Sequence, residues 1–491
     1  MLKFLAGLLC TGLSFYSCAQ SSESINQIFQ IDEAASHIRF LAADEMRGRN
    51  TGSPELDIAA RYIAEQFRKF GVATLPEQDN YYQDVRLFLS KPPDEGELSY
   101  GEQTLNNAVD ILFLNGQDTA FQAPLVFAGY GTKEELEKAG VAGKIVVTHT
   151  GTPDDASPAG FFLGGPKKRE WVQEMGGVAL IELYKSPQIP WQFVLQYLNK
   201  EQYVLEEKDE MSPLIHLWLY DPENKHLSAF QKEKTEQASL SITGTTREQV
   251  PVKNVVGVIE GTDPVLKDEY LILSAHYDHV GVKKDTYGQD SIYNGARDNA
   301  IGTTAMISAA QYFNQVPPNR SVLFLACTAE EVGLLGSQWY ANHPLVPLDK
   351  MAFNLNCDGA GYNDTTLVTV IGLERTNAEE EIRSACQAYG LTAGTDPAPE
   401  QNLYDRSDNV SFAQAGIPAV NFSTGITAFD QELMKYYHQV TDEVESLNFA
   451  YLEKFFKAYL LAAGQIANMP EKPFWQEGDK YEEAGKTLYG R

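Results

Sequence analysis

Positive charge is in short supply: 39 Lys and Arg stand against 67 Asp and Glu, a formal net charge of −28 at neutral pH. Nucleic-acid binding wants basic patches, so that class of partner is not expected. Cysteine is sparse as well, with five in 491 residues. Cys10 and Cys18 belong to the N-terminal leader, and the remaining Cys327, Cys357 and Cys386 are odd in number. Two of these lie inside strand-like runs, which argues against a disulfide scaffold and for free, buried thiols. After the leader no run is long and apolar enough to span a bilayer, so no transmembrane helix is expected in the mature chain. Internal repeats and low-complexity segments are also missing. What is present is a composition with 43% hydrophobic and 11% aromatic residues, that of a packed globular protein. The length points to more than one domain.

The leader, MLKFLAGLLCTGLSFYSCAQ, has an early Lys3, an apolar core and then small residues. It reads as a secretory signal peptide, so export to the periplasm, the cell envelope or the medium is expected. Two endings compete. Cleavage after Ala19 follows a small-x-small rule and leaves a signal peptide of 1–19. A lipoprotein signal of 1–17 would instead leave Cys18 as the lipid-bearing residue.

From Ile31 to Phe70 the apolar positions recur at helical spacing, interrupted by the turn-rich MRGRNTGSP. That loop is open to two readings, a plain connector or a substrate contact. Residues 20–106 are taken as the N-terminal part of a larger domain. After Asn107 short β-type runs appear (VDILFL, PLVFAGYG, GKIVVTHTG) separated by Gly and Pro, then a helix-like PKKREWVQEMG and the strand-like VALIELY. Residues 107–249 are therefore expected to form an inserted, mostly-β domain, a lid or interaction module with no cluster of catalytic residue types. From Val252 the texture becomes strand alternating with helix. Strands are expected at Asn254–Ile259, Tyr270–Ser274, Ser321–Ala326, Met351–Asn356, Leu367–Ile371 and Ala419–Phe422. Such alternation predicts an α/β fold, with a mainly parallel central sheet flanked by helices over residues 250–468. The tail 469–491 is polar and aromatic and reads as peripheral.

The chemistry concentrates where apolar runs stop. LILSAHYDHVG ends on His276, Asp278 and His279; SVLFLACTAEEVGLLGS ends on Glu330 and Glu331; MAFNLNCDGAG ends on Asp358. Asp298 stands in NGARDNAIG before a helical segment, and MKYYHQVTDE carries Tyr437 and His438. Ligands in open α/β sheets bind outside the carboxyl ends of the strands. Each group alone has a plainer reading: a solvated turn, a surface acidic pair, a helix cap. Five such groups in one domain, His276, Asp298, Glu331, Asp358 and His438, four of them at or just after strand ends, make a composite signal. His nitrogen and carboxylate oxygen are the donors zinc takes. One carboxylate can also bridge two ions about 3.5–4 Å apart, a pairing that serves hydrolysis.

The segments SAHYDH, NGARDNAIG, CTAEEVGLLGS, NCDG and YYHQVTDE resemble, in order and spacing, the motifs of the di-zinc aminopeptidase and glutamate carboxypeptidase family. The resemblance spans Val252 to about Ala467, GRNTGS looks like the family's leading part, and the inserted segment resembles a protease-associated domain. It implies two Zn2+ per chain, with His276 and Asp358 on one, Glu331 and His438 on the other, and Asp298 bridging. It further implies that Asp278 orients His276, that Glu330 is the general base, and that Tyr437 stabilises the oxyanion. His279 and Asp442 are left as second-layer or structural groups. Two positions depart from the family pattern: Arg297, where an acidic residue is common, and Asn409, where a histidine is common.

The expected function is an exported zinc exopeptidase acting on peptides, an aminopeptidase first. A carboxypeptidase of the glutamate carboxypeptidase type is the alternative, with glutaminyl cyclase a more distant one. A non-catalytic metal-binding receptor or scaffold is a further reading, against which the intact ligand set and Glu330 argue. A carboxypeptidase would need cations converging on the substrate carboxylate. The candidates near the motifs are Arg297 and Arg406, with Lys283 and Lys284 in a loop. The sequence carries no signal of oligomeric state.

Overall fold

A computed structural model describes residues 22–155, 158–186, 188–206, 214–232, 237–283 and 290–491. The leader with Cys10 and Cys18, and Lys284, lie outside the described residues. The chain forms two compact units, one made of residues up to Val85 together with Pro251–Arg491, the other of Arg86–Val250. Both boundaries fall inside strands, Tyr82–Lys91 and Thr246–Ile259.

The first unit is built on a twisted sheet. Its strands run in the order Thr392–Gly394, Leu367–Ile371, Ala419–Thr424, Met351–Asn356, Tyr270–His276, Ser321–Cys327 and Thr246–Ile259. The four in the middle are mutually parallel, while Leu367–Ile371 and Thr246–Ile259 run against their inner neighbours. The central strands are buried along nearly their whole length. This is why they read as continuous apolar runs and not as alternating ones. Alternate residues face opposite sides. On one face Phe324 packs on Phe67 of the helix Pro54–Lys69, and Phe422 on Phe455 and Tyr459 of the helix Phe449–Ala467. On the other, Ile272, Leu323, Leu325 and Ala419 pack with Val410 and Phe412 of the short helix Asn409–Gln414.

The tail is not peripheral. Trp475 and Tyr481 are buried in that second cluster, and the Trp475 indole N–H donates to the Gly416 carbonyl at 3.0 Å. Arg375 stacks on Tyr404 and binds Asp479 through two nitrogens at 2.7 and 3.0 Å. Aromatic side chains this large contribute most where they are buried, and Tyr and Trp then need a polar partner, which Gly416 supplies to Trp475 and Asp405 to Tyr481. Cys327, Cys357 and Cys386 are free and buried, as expected.

The second unit starts at Arg86 and not at Asn107, because Glu95–Tyr100 and Gln103–Asn106 join its sheet through Gln237–Thr243, far along the chain. Its eight strands include a parallel block, Thr119–Phe127, Ile145–His149, Ala179–Tyr184 and Ile215–Tyr220. Helices lie against one face of it, with Leu136 and Val172 on Val146 and Leu180, and Trp191 and Val194 beside Leu112 and Trp218. On that face Glu182 is buried between Lys168, at 2.6 Å, and His216, at 2.8 Å.

Candidate active site

The candidate ligands sit on turns that leave the carboxyl ends of the central strands. His276 is the last residue of Tyr270–His276, and Thr303 holds its carbonyl at 2.7 Å. Glu330 and Glu331 follow Ser321–Cys327 in a turn that passes through Ala329 in the left-handed region (φ 55°). Asp358 follows Met351–Asn356; its main chain is clasped by the Asn421 side-chain amide, N–H to Oδ1 at 3.1 Å and Nδ2 to the carbonyl at 3.1 Å. Asp298 precedes the helix Ile301–Gln315, and His438 stands on a left-handed residue (φ 51°) just after the helix Gln431–Met434.

These turns bring the side chains into two groups that share Asp298. His276, Asp298 and Asp358 form one; His279, Asp298, Glu331 and His438 form the other. His276 Nε2 lies 3.2 Å from Asp298 Oδ1 and 3.2 Å from Asp358 Oδ1. His438 Nε2 lies 3.1 Å from Asp298 Oδ2 and 3.1 Å from Glu331 Oε2. The shared carboxylate therefore turns one oxygen to each histidine. The Glu330 carboxylate points at the same place from 4.0 Å (Oε2 to His276 Nε2). Tyr437, half-buried, stacks on the His438 ring at 4.2 Å between centroids.

A second layer fixes this arrangement. Asp442 accepts from the main-chain N–H of Arg297 at 3.0 Å and of Asp298 at 3.3 Å, which aims the Asp298 side chain. Ser407 Oγ donates to Asp358 Oδ2 at 2.5 Å. His279 Nδ1 donates to Glu331 Oε1 at 2.6 Å, leaving Oε2 for the shared pocket. Metal sites depend on such outer contacts to orient their ligands. Asp278 acts differently from the expectation. Its carboxylate is 3.8 Å from His276 Nδ1, too far for a hydrogen bond, and the Asp278 carbonyl takes that proton at 3.2 Å. The carboxylate instead accepts from the main-chain N–H groups of Glu330 (3.1 Å) and Glu331 (3.3 Å), fixing the turn that carries both glutamates.

Electrostatically the pocket holds more acid than base. Burial opposes charge on His438, yet its bonds to Asp298 and Glu331 carry its pKa up to about 10. His276 is likewise raised against burial by Glu330, Asp358 and Asp298, and burial is outweighed at Asp298, whose bonds to the two imidazoles lower its pKa. Burial raises Glu330, and Asp358, Asp408 and Glu331 push the same way. The Tyr437 phenol is pushed up by burial and by Asp298, Glu331 and Asp358, so it stays protonated and able to donate. His276 Nε2 and His438 Nε2 each lie between two carboxylate oxygens, two places where a cation is stabilised. Nitrogen and oxygen donors at those places suit zinc, which displaces ligand protons as it binds. The residues present thus fit the implied metal.

All eight residues singled out in the sequence (His276, Asp278, Asp298, Glu330, Glu331, Asp358, Tyr437 and His438) come to this one place. His279 and Asp442, left in the sequence as second-layer or structural groups, stand behind Glu331 and Asp298. Sequence reasoning missed the use of the GRNTGS loop, whose Thr51 Oγ1 donates to Asp278 Oδ2 at 3.3 Å. Arg297 proves to be structural. It is 3% exposed, with its guanidinium on Asp442 (3.2 Å) and the Ser446 carbonyl (2.9 Å) and over the Tyr436 ring at 3.7 Å. Asn409 is buried too and donates to the Tyr404 carbonyl at 3.0 Å.

The parallel-centred sheet, with this order of His, Asp, Glu-Glu, Asp and His at its strand ends, defines a zinc exopeptidase fold. Residues 254–463 match the family model of Peptidase family M28. Aminopeptidase YwaD of Bacillus subtilis (strain 168) is 25% identical over 290 residues, 57% of this chain and 58% of that one. A vacuolar membrane protease of Saccharomyces cerevisiae (strain YJM789) is 30% identical over 141 residues, 29% of this chain and 13% of its own length. The chain thus spans less than two thirds of either relative. Among solved structures, the aminopeptidase from Aneurinibacillus sp. strain AM-1 shares the fold with a TM-score of 0.55, at 20% identity over 92% of this chain and 97% of that one.

Proposed function

We propose that this protein is an exported aminopeptidase that uses two zinc ions to remove N-terminal residues from peptides. The observation that carries the reading is Asp298, with Oδ1 3.2 Å from His276 and Oδ2 3.1 Å from His438, one oxygen for each group. His276 and Asp358 would hold one ion, Glu331 and His438 the other, and Asp298 both. Zinc bound there supplies a polarised carbonyl and water acidic enough to ionise near neutral pH. Glu330 takes the proton from the attacking water and passes it to the leaving amine, a role suited to a buried carboxylate beside the ligands and not tied up by them. The Tyr437 hydroxyl donates to the oxygen that becomes anionic as water adds to the peptide carbonyl.

An amino-terminal preference follows from the charges. The pocket is lined by carboxylates, which attract an α-ammonium group. Arg297, the first candidate for a substrate carboxylate clamp, is bound to Asp442 and Ser446. The test compares turnover of aminoacyl-anilides with that of N-acylated dipeptides bearing a free carboxylate. Faster turnover of the first set is expected; faster turnover of the second would make the protein a carboxypeptidase. Export rests on the leader alone. The mass of the native N-terminus should show release at Gln20 or a lipid on Cys18, and an intact Met1 would count against both. The inserted unit we take as a protease-associated domain.

A further inference from the structure

We propose that the hook Gly48–Thr51, with Arg49 at its centre, is a positioning element that sets the two ligand groups at their working separation. This rests on the reading that those groups hold zinc. Arg49 is 1% exposed and hydrogen-bonds to none of the ligand side chains named above. Its guanidinium donates only to main-chain carbonyls: Nε to Tyr277 at 2.9 Å, Nη1 to Asn294 at 2.7 Å and to Leu41, and Nη2 to Gly295 at 3.1 Å. Tyr277 lies between His276 and Asp278, and Gly295 opens the turn that delivers Asp298. One rigid, planar fork therefore ties the loop of the first histidine to the loop of the shared carboxylate.

The rest of the hook reinforces the tie. The His279 N–H donates to the Arg49 carbonyl at 3.2 Å, and the Gly281 N–H to the Gly48 carbonyl at 3.1 Å. Thr51 reaches Asp278, whose carboxylate carries the main-chain N–H groups of Glu330 and Glu331. The packing has no slack. Gly48 sits at φ +66°, and a Cβ there would fall 2.4 Å from the Tyr293 carbonyl and 2.5 Å from that of Gly281. A Cβ on Gly295, at φ +62°, would fall 2.6 Å from the His279 ring. Two ligand-bearing turns thus meet on one short segment of the N-terminal region, and the turn of Glu330 and Glu331 is tied to it through Asp278. A buried cation there also offsets the surrounding carboxylates, but the fork sets the geometry, and lysine cannot reproduce it: an ammonium is a point charge without planar, divergent donors.

The test measures zinc affinity by competition with a chelator, on the full chain, for wild type, Arg49→Lys and Arg320→Lys. Arg320 is an equally buried arginine of the same unit, bound to Glu269 at 2.8 Å and to the Met469 carbonyl, away from the ligands. Arg49→Lys should weaken zinc binding by about 10–100-fold, the usual cost of losing an outer contact. Arg320→Lys should lower the melting temperature and leave zinc affinity unchanged. Wild-type zinc affinity in a folded Arg49→Lys would overturn the proposal. If Arg49→Lys does not fold, Thr51→Val decides: weakened zinc binding supports the hook, unaltered binding overturns it. A wild-type chain that binds no zinc would fail the functional reading instead, so the two failures are distinct.

Discussion

Glu330 and Glu331 are neighbours in sequence with different work to do. Glu331 is spent on both oxygens, Oε1 on His279 and Oε2 on His438, whereas burial and nearby carboxylates raise the pKa of Glu330. Replacing Glu330 by Gln removes the proton acceptor and keeps the shape. Turnover should fall by about 10²–10⁴-fold or more while bound zinc stays the same. A variant that kept most of its kcat would make Glu330 structural. At this scale the sequence was readable where function demands unusual residues at strand ends, as for His276, Asp278, Glu330, Glu331 and Asp358, while Asp298, Tyr437 and His438 stand beside helices. It was not readable where a role depends on a distant partner. Arg297 looked like a cation free for substrate because Asp442, which neutralises it, lies far along the chain. Asp278 was misread for a related reason: whether its carboxylate or its carbonyl meets His276 depends on the turn of Glu330 and Glu331, held from a different strand.

Elements were legible when burial was uniform. Strands covered on both faces appear as unbroken apolar runs, so the central strands could be placed almost to the residue. Glu95–Tyr100 and Gln103–Asn106 were missed because their partner, Gln237–Thr243, is remote and their own residues are largely polar. The tail was misjudged because Trp475 and Tyr481 are isolated aromatics in a polar stretch, with a burial that only the docked chain reveals. The helices Ile31–Leu41 and Pro54–Lys69 support a prediction of their own. His37 of the first is buried and 2.8 Å from the Tyr62 hydroxyl of the second. Burial lowers its pKa from 6.5 to about 4. Between these values the unfolded chain binds the proton and the folded one does not, so stability is full above 6.5 and drains away as pH falls towards 4. This group should account for about 2 kcal/mol of the stability lost between pH 7 and pH 5. Thermal unfolding of wild type and His37→Gln at the two pH values checks it, and equal losses would contradict the assignment.

For the whole molecule, the charge of −28 has a local counterpart in the carboxylates gathered around Asp298. Asp278, Asp298, Asp408 and Asp442 are buried there, and Glu330, Glu331 and Asp358 nearly so. Burying this many acids is costly unless cations accompany them. Arg49, Arg297 and the imidazoles supply part of that charge, and divalent ions on the two groups would supply the rest. No helix among the described residues is long and apolar enough to cross a membrane. The two units share a chain that passes between them twice, and both groups of ligands belong to the first. The central claim is that one aspartate organises two metal sites. Elemental analysis of the zinc-reconstituted full chain, set against protein concentration, measures it most directly. The account predicts two zinc ions per wild-type chain and a loss at both sites in Asp298→Ala; one ion or none per wild-type chain, with zinc in excess, would contradict it.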